Sequence, residues 1–170
     1  KNIDYFFQQT YHSSALAKSI WLKNSITTGD TRYDRVKEIA KCDNSVPFIE
    51  DFKGENRLLV FGSSWEKEEK IAEIISKKSE NTKIILVPHD LKRVSTIQFL
   101  FPEAVLYSDI LANQPSFITH QLLIIDSIGL LSKIYSYADL AFIGGGFHSK
   151  GLHNILEAAV YGKPIIFGPE

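Results

Sequence analysis

Apolar residues gather along the chain in six short runs: Tyr5-Phe6-Phe7, Leu58-Leu59-Val60-Phe61, Ile84-Ile85-Leu86-Val87, Leu122-Leu123-Ile124-Ile125, Leu140-Ala141-Phe142-Ile143 and Pro164-Ile165-Ile166-Phe167. They are apolar at consecutive rather than alternate positions, so each predicts a strand covered on both faces. Between them the spacing turns helical. In segment 65–78, Ile71, Ile74 and Ile75 form one face among Glu and Lys, and Ile155, Leu156, Ala158, Ala159 and Val160 predict a mostly buried helix after Gly151. Such strands alternating with helices predict the α/β class with a doubly wound parallel sheet.

The alternation breaks twice. Segment 45–56, with Pro47, Gly54 and mixed charges, predicts a loop or a short irregular element, and Thr27-Thr28-Gly29-Asp30 marks the other break. One strand and one helix are expected before Gly29. Residues 1–28 are therefore expected to be the tail of a preceding domain plus a linker, and residues 29–170 a single domain. The chain has no Met and stops just after the turn-forming Gly168-Pro169, so both ends are expected to be cut.

Composition sets bounds. The 170 residues are 44% hydrophobic and 23% charged, enough apolar material for one core. Nineteen basic against twenty acidic residues leave a net charge of −1. No general field draws nucleic acid, and any anion has to be held locally. The single Cys42 excludes an intrachain disulfide and a multi-cysteine zinc site, and it fits a reducing cytoplasm. No apolar run nears the roughly 18–20 residues of a membrane span, and no signal peptide is visible.

In open parallel sheets ligands bind beyond the carboxyl ends of the strands, so the turns after the predicted strands carry the chemistry. Gly62-Ser63-Ser64-Trp65-Glu66 leads from strand to helix with a serine at the N-cap: a plain cap, or an anion site at the positive helix end. Pro88-His89-Asp90, followed by Lys92 and Arg93, offers His89 or Arg93 to a phosphate, or is an ordinary surface turn. Asp126-Ser127-Ile128-Gly129 presents backbone groups to a base or ribose, and Asp126 is equally suited to capping a helix.

The strongest signal is Gly144-Gly145-Gly146 directly after a strand, leading on to His153-Asn154 and Glu157. Glycines let a backbone approach a ligand, and the loop is expected to feed a helix N-terminus that favours phosphate. Asn154 and Glu157, three apart, are expected on one helix face, where the carboxylate accepts from a ribose diol. The glycine spacing is not the dinucleotide fingerprint, so the pattern reads as another kind of nucleotide site, with a glycine-rich turn and capped helix as the alternative. Gly162-Lys163-Pro164 reads as structure. His153 and Glu157 lack a third ligand for a metal, and no Gly-x-Ser-x-Gly elbow supports a hydrolase.

Taken together, Asp139-Leu140-Ala141-Phe142-Ile143-Gly144-Gly145-Gly146, His153-Asn154-Ile155-Leu156-Glu157-Ala158-Ala159 and Gly162-Lys163-Pro164-Ile165-Ile166-Phe167-Gly168-Pro169 resemble the carboxyl-terminal domain of 3-deoxy-manno-octulosonic acid (Kdo) transferases. Thr28-Gly29-Asp30-Thr31-Arg32-Tyr33-Asp34, Gly62-Ser63-Ser64 and Asp126-Ser127-Ile128-Gly129-Leu130 extend the resemblance upstream in the same order. It implies the donor-binding half of a GT-B glycosyltransferase, a fold of two Rossmann-like domains. The implied reaction moves Kdo from CMP-Kdo to a lipid A precursor with inversion, with no cofactor and no metal in the donor site. The implied location is the cytoplasmic face of the inner membrane, with any anchor elsewhere in the parent protein.

Carried over by position, the resemblance puts Ser63 and Ser64 near the donor phosphate or sugar, and Ser127, Ile128 and Gly129 against the nucleotide through their backbone. Gly145 and Gly146 would face the phosphate, and Asn154 and Glu157 would hold phosphate and ribose. Where the family often has Pro-Arg-His, this chain has Pro88-His89-Asp90, so the arginine contact falls to His89 or Arg93, or is absent. The family's acidic residue after the turn glycine is Leu130 here. The general base belongs to the amino-terminal domain, so no catalytic residue is expected in this chain, and alone it is expected to bind nucleotide weakly and to catalyse nothing. Two other readings stand beside this one: a GT-B transferase or epimerase using a UDP-sugar, and a non-catalytic nucleotide- or flavin-binding module of flavodoxin-like topology.

Overall fold

A computed structural model describes residues 3–113, 119–149 and 151–169; Lys150, within the glycine-rich segment, lies outside them. The chain divides into two compact units, Lys1–Lys41 and Cys42–Glu170. The division falls after the helix Thr31–Lys41, later than the break expected at Gly29.

In the first unit, β1 (Phe6–Gln8) is followed by α1 (Tyr11–Ser19), β2 (Ser25–Thr27) and α2 (Thr31–Lys41). The Thr10 side chain caps α1 by accepting the Ser13 amide. β1 and β2 pair in parallel, so this unit has a second strand where the sequence predicted one. Ser25-Ile26-Thr27 is too short and too polar to register as an apolar run.

The second unit contains α3 (Ile49–Lys53), β3 (Arg57–Ser64), α4 (Glu66–Lys78), β4 (Thr82–Pro88), α5 (Val94–Leu100), β5 (Val105–Leu106), α6 (Tyr107–Asn113), β6 (Leu122–Ile124), α7 (Leu131–Ile134), β7 (Leu140–Ile143), α8 (Leu156–Ala159) and β8 (Ile165–Phe167). Among the described residues its strands form one sheet in the order β5-β6-β4-β3-β7-β8. Every pair is parallel.

The consecutive apolar runs work as expected. Val60, Ile85, Leu123 and Ala141 pack on one face with Ile49, Phe52, Ile110 and Ala158. Phe61, Ile84, Leu86 and Ile124 pack on the other with Ala72, Ile97 and Phe101. Each fully buried Leu or Ile removes enough apolar surface from water to contribute about 1.5–3 kcal/mol. In α4 the inner face is Ala72 with Ile71 and Ile75, whereas Ile74, expected on it, is 53% exposed.

From β3 the chain winds towards β4 and β6, then returns to β7 on the other side of β3. The switch point of the sheet therefore lies at the carboxyl ends of β3 and β7, where open α/β sheets hold ligands. Among the described residues no helix is long and apolar enough to cross a membrane.

Candidate functional site

β3 ends in a bulge. Its register against β4 shifts between Gly62 and Ser64, and Ser63 takes up left-handed backbone with φ 52°, a conformation that costs a non-glycine residue about 1–2 kcal/mol. The bulge presses the Ser63 carbonyl against Gly144, where a Cβ would stand 2.0 Å from that oxygen. Two residues on, a Cβ on Gly146 would stand 2.6 Å from the Gly168 nitrogen. Glycine is thus required at Gly144 and Gly146 by the protein's own backbone.

The first turn of α4 organises the surrounding loops. Its N-cap is Trp65 and not a serine, because Ser64 still belongs to β3, where it is fully buried. Among the described residues the Ser64 hydroxyl has no hydrogen-bond partner. Glu68, 1% exposed, accepts the Trp65 amide at 3.2 Å and the Gly145 amide at 2.9 Å. The first bond is half of a capping box; the second fills the amide that was expected to meet a phosphate. Glu69, also buried, takes the Arg93 guanidinium through Nε at 3.0 Å and a terminal nitrogen at 2.5 Å. That bond raises the Arg93 pKa further and commits the side chain to Glu69.

Beside this turn, a cleft of about 770 Å³ opens over the ends of β3, β4 and β6. Ser63, Pro88, His89, Ser127, Ile128 and Gly129 line it, bringing together half of the residues singled out from the sequence. Trp65, Val87, Asp90, Leu91, Lys92 and Leu131 complete the lining. Ile128 is 88% exposed at its mouth. Asp126 holds the wall from behind by accepting the Ser108 amide at 3.0 Å and its hydroxyl at 2.5 Å, so it anchors the start of α6. A second cleft of about 730 Å³, bordered by Lys53, Arg57 and Asp139, lies at the opposite, amino ends of the strands.

Ser64, Arg93, Gly145, Gly146, Asn154 and Glu157 stand outside the cleft lining. α8 has only four residues, so the glycine loop does not run straight into a long helix. Asn154 precedes α8, its Oδ1 accepting the Leu156 amide at 3.2 Å and its Nδ2 donating to Glu157 Oε1 at 3.2 Å. The two residues do meet, through each other. Burial first, and then the Glu157 charge, push the Tyr135 hydroxyl pKa well up.

Between the glycine loop and the cleft sits an aromatic cluster that residue spacing does not reveal. Trp65 stacks on His89, meets His148 edge-on, and donates from Nε1 to His153 Nε2 at 3.2 Å. His153 also ties the loop down, its amide donating to the Gly144 carbonyl at 3.1 Å. Among the described residues no group of three or more His, Cys, Asp and Glu side chains is arranged to hold a metal ion.

A parallel doubly wound sheet with a cleft over its carboxyl ends places the second unit in the class of Rossmann-like α/β domains. The comparisons give the lineage. The chain is 34% identical over 117 residues to the 3-deoxy-D-manno-octulosonic acid transferase of Chlamydophila psittaci, an alignment covering 68% of this chain and 27% of that protein. It is 28% identical over 178 residues to the transferase of the same name from Rickettsia bellii, covering all of this chain and 41% of the relative. The fold matches the crystal structure of the C-terminal CMP-Kdo binding domain of WaaA from Acinetobacter baumannii, with a TM-score of 0.62 and 21% identity over 82% of this chain and 72% of that one. No family model matches. The chain is a homologue of the Kdo transferases, and it spans about a quarter to two fifths of the length of these two relatives.

Proposed function

We propose that this chain is the donor-binding part of an inverting glycosyltransferase that moves Kdo from CMP-Kdo to a lipid A precursor in lipopolysaccharide core biosynthesis. The observation that carries the reading is the cleft itself: Ser63, Pro88, His89 and the turn Ser127, Ile128, Gly129 converge there from three separate strand ends. These are the turns to which the resemblance assigns the nucleotide. In this reading the 127–129 turn meets the cytidine. The phosphate lies towards Ser63, His89 and Lys92, because the Gly145 amide and the Arg93 guanidinium already have carboxylate partners.

In the transfer an acceptor hydroxyl attacks the anomeric carbon, a general base takes its proton, and CMP departs with the bonding electrons. Donors held in place around the phosphate stabilise the charge that CMP gains. The base and the acceptor site belong to the amino-terminal domain of the parent enzyme, which works at the cytoplasmic face of the inner membrane. The isolated chain binds nucleotide and transfers nothing.

Titration of the chain with CMP, UDP and FMN tests the reading. Preferential CMP binding that weakens in Lys92→Ala is the expected result. A preference for UDP would point instead to a UDP-sugar enzyme, and FMN binding to a flavodoxin-like module.

A further inference from the structure

The register of β3 against β4 pairs Ser64 with Pro88, so the residues that follow, Trp65 and His89, come side by side at the ends of two neighbouring strands. The His89 amide donates to the Ser64 carbonyl at 3.1 Å and holds that adjacency. The two rings stack there, with centroids 4.6 Å apart and planes 21° from parallel, and both line the cleft.

The two partners are held very differently. Trp65 is half-buried and tied down: its amide donates to Glu68 at 3.2 Å, its Nε1–H donates to His153 Nε2 at 3.2 Å, and His148 meets its ring edge-on at 4.6 Å. His153 is itself anchored, its amide donating to the Gly144 carbonyl at 3.1 Å. His89 is exposed, and among the described residues the contacts that hold its ring are with other rings, Trp65 and, at 4.5 Å, His153. An exposed side chain without such support samples several rotamers, and ordering it on a ligand costs affinity. A ring that is already stacked has lost that freedom before the ligand arrives. Lys92 in the same lining supplies positive charge, but its ammonium sits on a flexible stem, whereas an imidazole N–H donates in a fixed direction once its ring is fixed.

We propose that Trp65 is a positioning residue for the nucleotide: by stacking on His89 it fixes the imidazole in the cleft lining so that a ring N–H meets the phosphate. The proposal rests on the reading that a nucleotide phosphate enters this cleft. Lys92 gives the site its charge and His89 gives it direction. The indole acts through His89 and not through a ligand contact of its own. Because Trp65 is bonded to His153, the glycine-rich segment bears on the same phosphate contact while His153 itself stays outside the lining.

Titration of the whole chain with CMP and with cytidine tests this in the wild type, Trp65→Ala, Trp65→Phe, His89→Ala and the double variant. The α4 cap runs through the Trp65 backbone amide, which every substitution keeps. Trp65→Ala is expected to weaken CMP binding by about two- to tenfold, the worth of a stacked ring pair, while Trp65→Phe, which keeps a ring for His89, stays close to the wild type. Cytidine, which has no phosphate, is expected to bind all four variants as it binds the wild type. In the His89→Ala background Trp65→Ala is expected to add nothing, since a residue that acts through another loses its effect with it. Four results overturn the proposal and leave the donor-site reading standing: CMP affinity unchanged in Trp65→Ala or in His89→Ala, an undiminished Trp65→Ala effect in the double variant, a loss in Trp65→Phe equal to that in Trp65→Ala, or cytidine weakened as much as CMP. Failure of CMP to bind the wild-type chain overturns the two together.

Discussion

Glu68 accepts the amide of Gly145 at 2.9 Å across 77 positions of sequence, a buried bond that ties the glycine-rich loop to the start of α4. Both groups are buried, so deleting the carboxylate strands a backbone donor without water. Glu68→Ala is expected to lower stability by about 1–3 kcal/mol. Glu68→Gln, which keeps an acceptor, is expected to cost less. Urea unfolding of the two variants checks the order; equal losses would remove the bond from the account.

At Gly146 the obstacle to a side chain is backbone, which cannot swing aside. A Cβ there meets the Gly168 nitrogen at 2.6 Å and its Cα at 2.8 Å. Gly146→Ala is expected to cost about 1–3 kcal/mol through overpacking. A melting temperature equal to that of the wild type would contradict this packing.

Ser63 offers a substitution with opposite effects on stability and binding. Its left-handed backbone suits glycine, so Ser63→Gly is expected to relieve about 1–2 kcal/mol of strain, less about 0.4–1 kcal/mol for the freedom glycine gives the unfolded state, a small net stabilisation. The same change removes a hydroxyl from the cleft lining, and CMP affinity is expected to fall. Unfolding and titration on one preparation separate the two effects, and unchanged affinity would exclude the hydroxyl from the ligand's contacts.

Asp139 supplies a pH dependence. Burial pushes its carboxyl pKa up, but the Leu58 amide at 2.8 Å and the Lys53 ammonium at 3.1 Å outweigh that, and the folded-state value lies below the ordinary one. The stability it contributes is therefore fully present above the unfolded pKa of about 3.9 and is lost as pH falls through the depressed folded value. Asp139→Asn is expected to flatten the acid limb of the stability curve while leaving its neutral slope alone. An unchanged acid limb would assign that limb to other carboxylates.

The sheet was legible because a strand covered on both faces has to be apolar at consecutive positions, as in Leu58-Leu59-Val60-Phe61 and Leu122-Leu123-Ile124. β5 was not, since Val105 and Leu106 alone carry no period. The cleft was half legible: turns after strands point to it, which finds Ser63, His89 and the 127–129 turn. What escaped depends on three-dimensional partners. Nothing local separates Glu68 and Glu69, both buried, from the exposed Glu66 in the same run. The backbone crowding at Gly144 and Gly146 was not legible, since a demand for small residues looks the same whether ligand or backbone imposes it. Asn154 and Glu157 were paired correctly by spacing, but α8 starts only at Leu156.

Glu68 and Glu69 are adjacent, so their side chains leave α4 about 100° apart around its axis. One reaches Gly145 beyond β7 and the other Arg93 beyond β4. The loops flanking β3 thus hang from a single helical turn, like two weights on one beam. Displacing that turn would displace both loops at once.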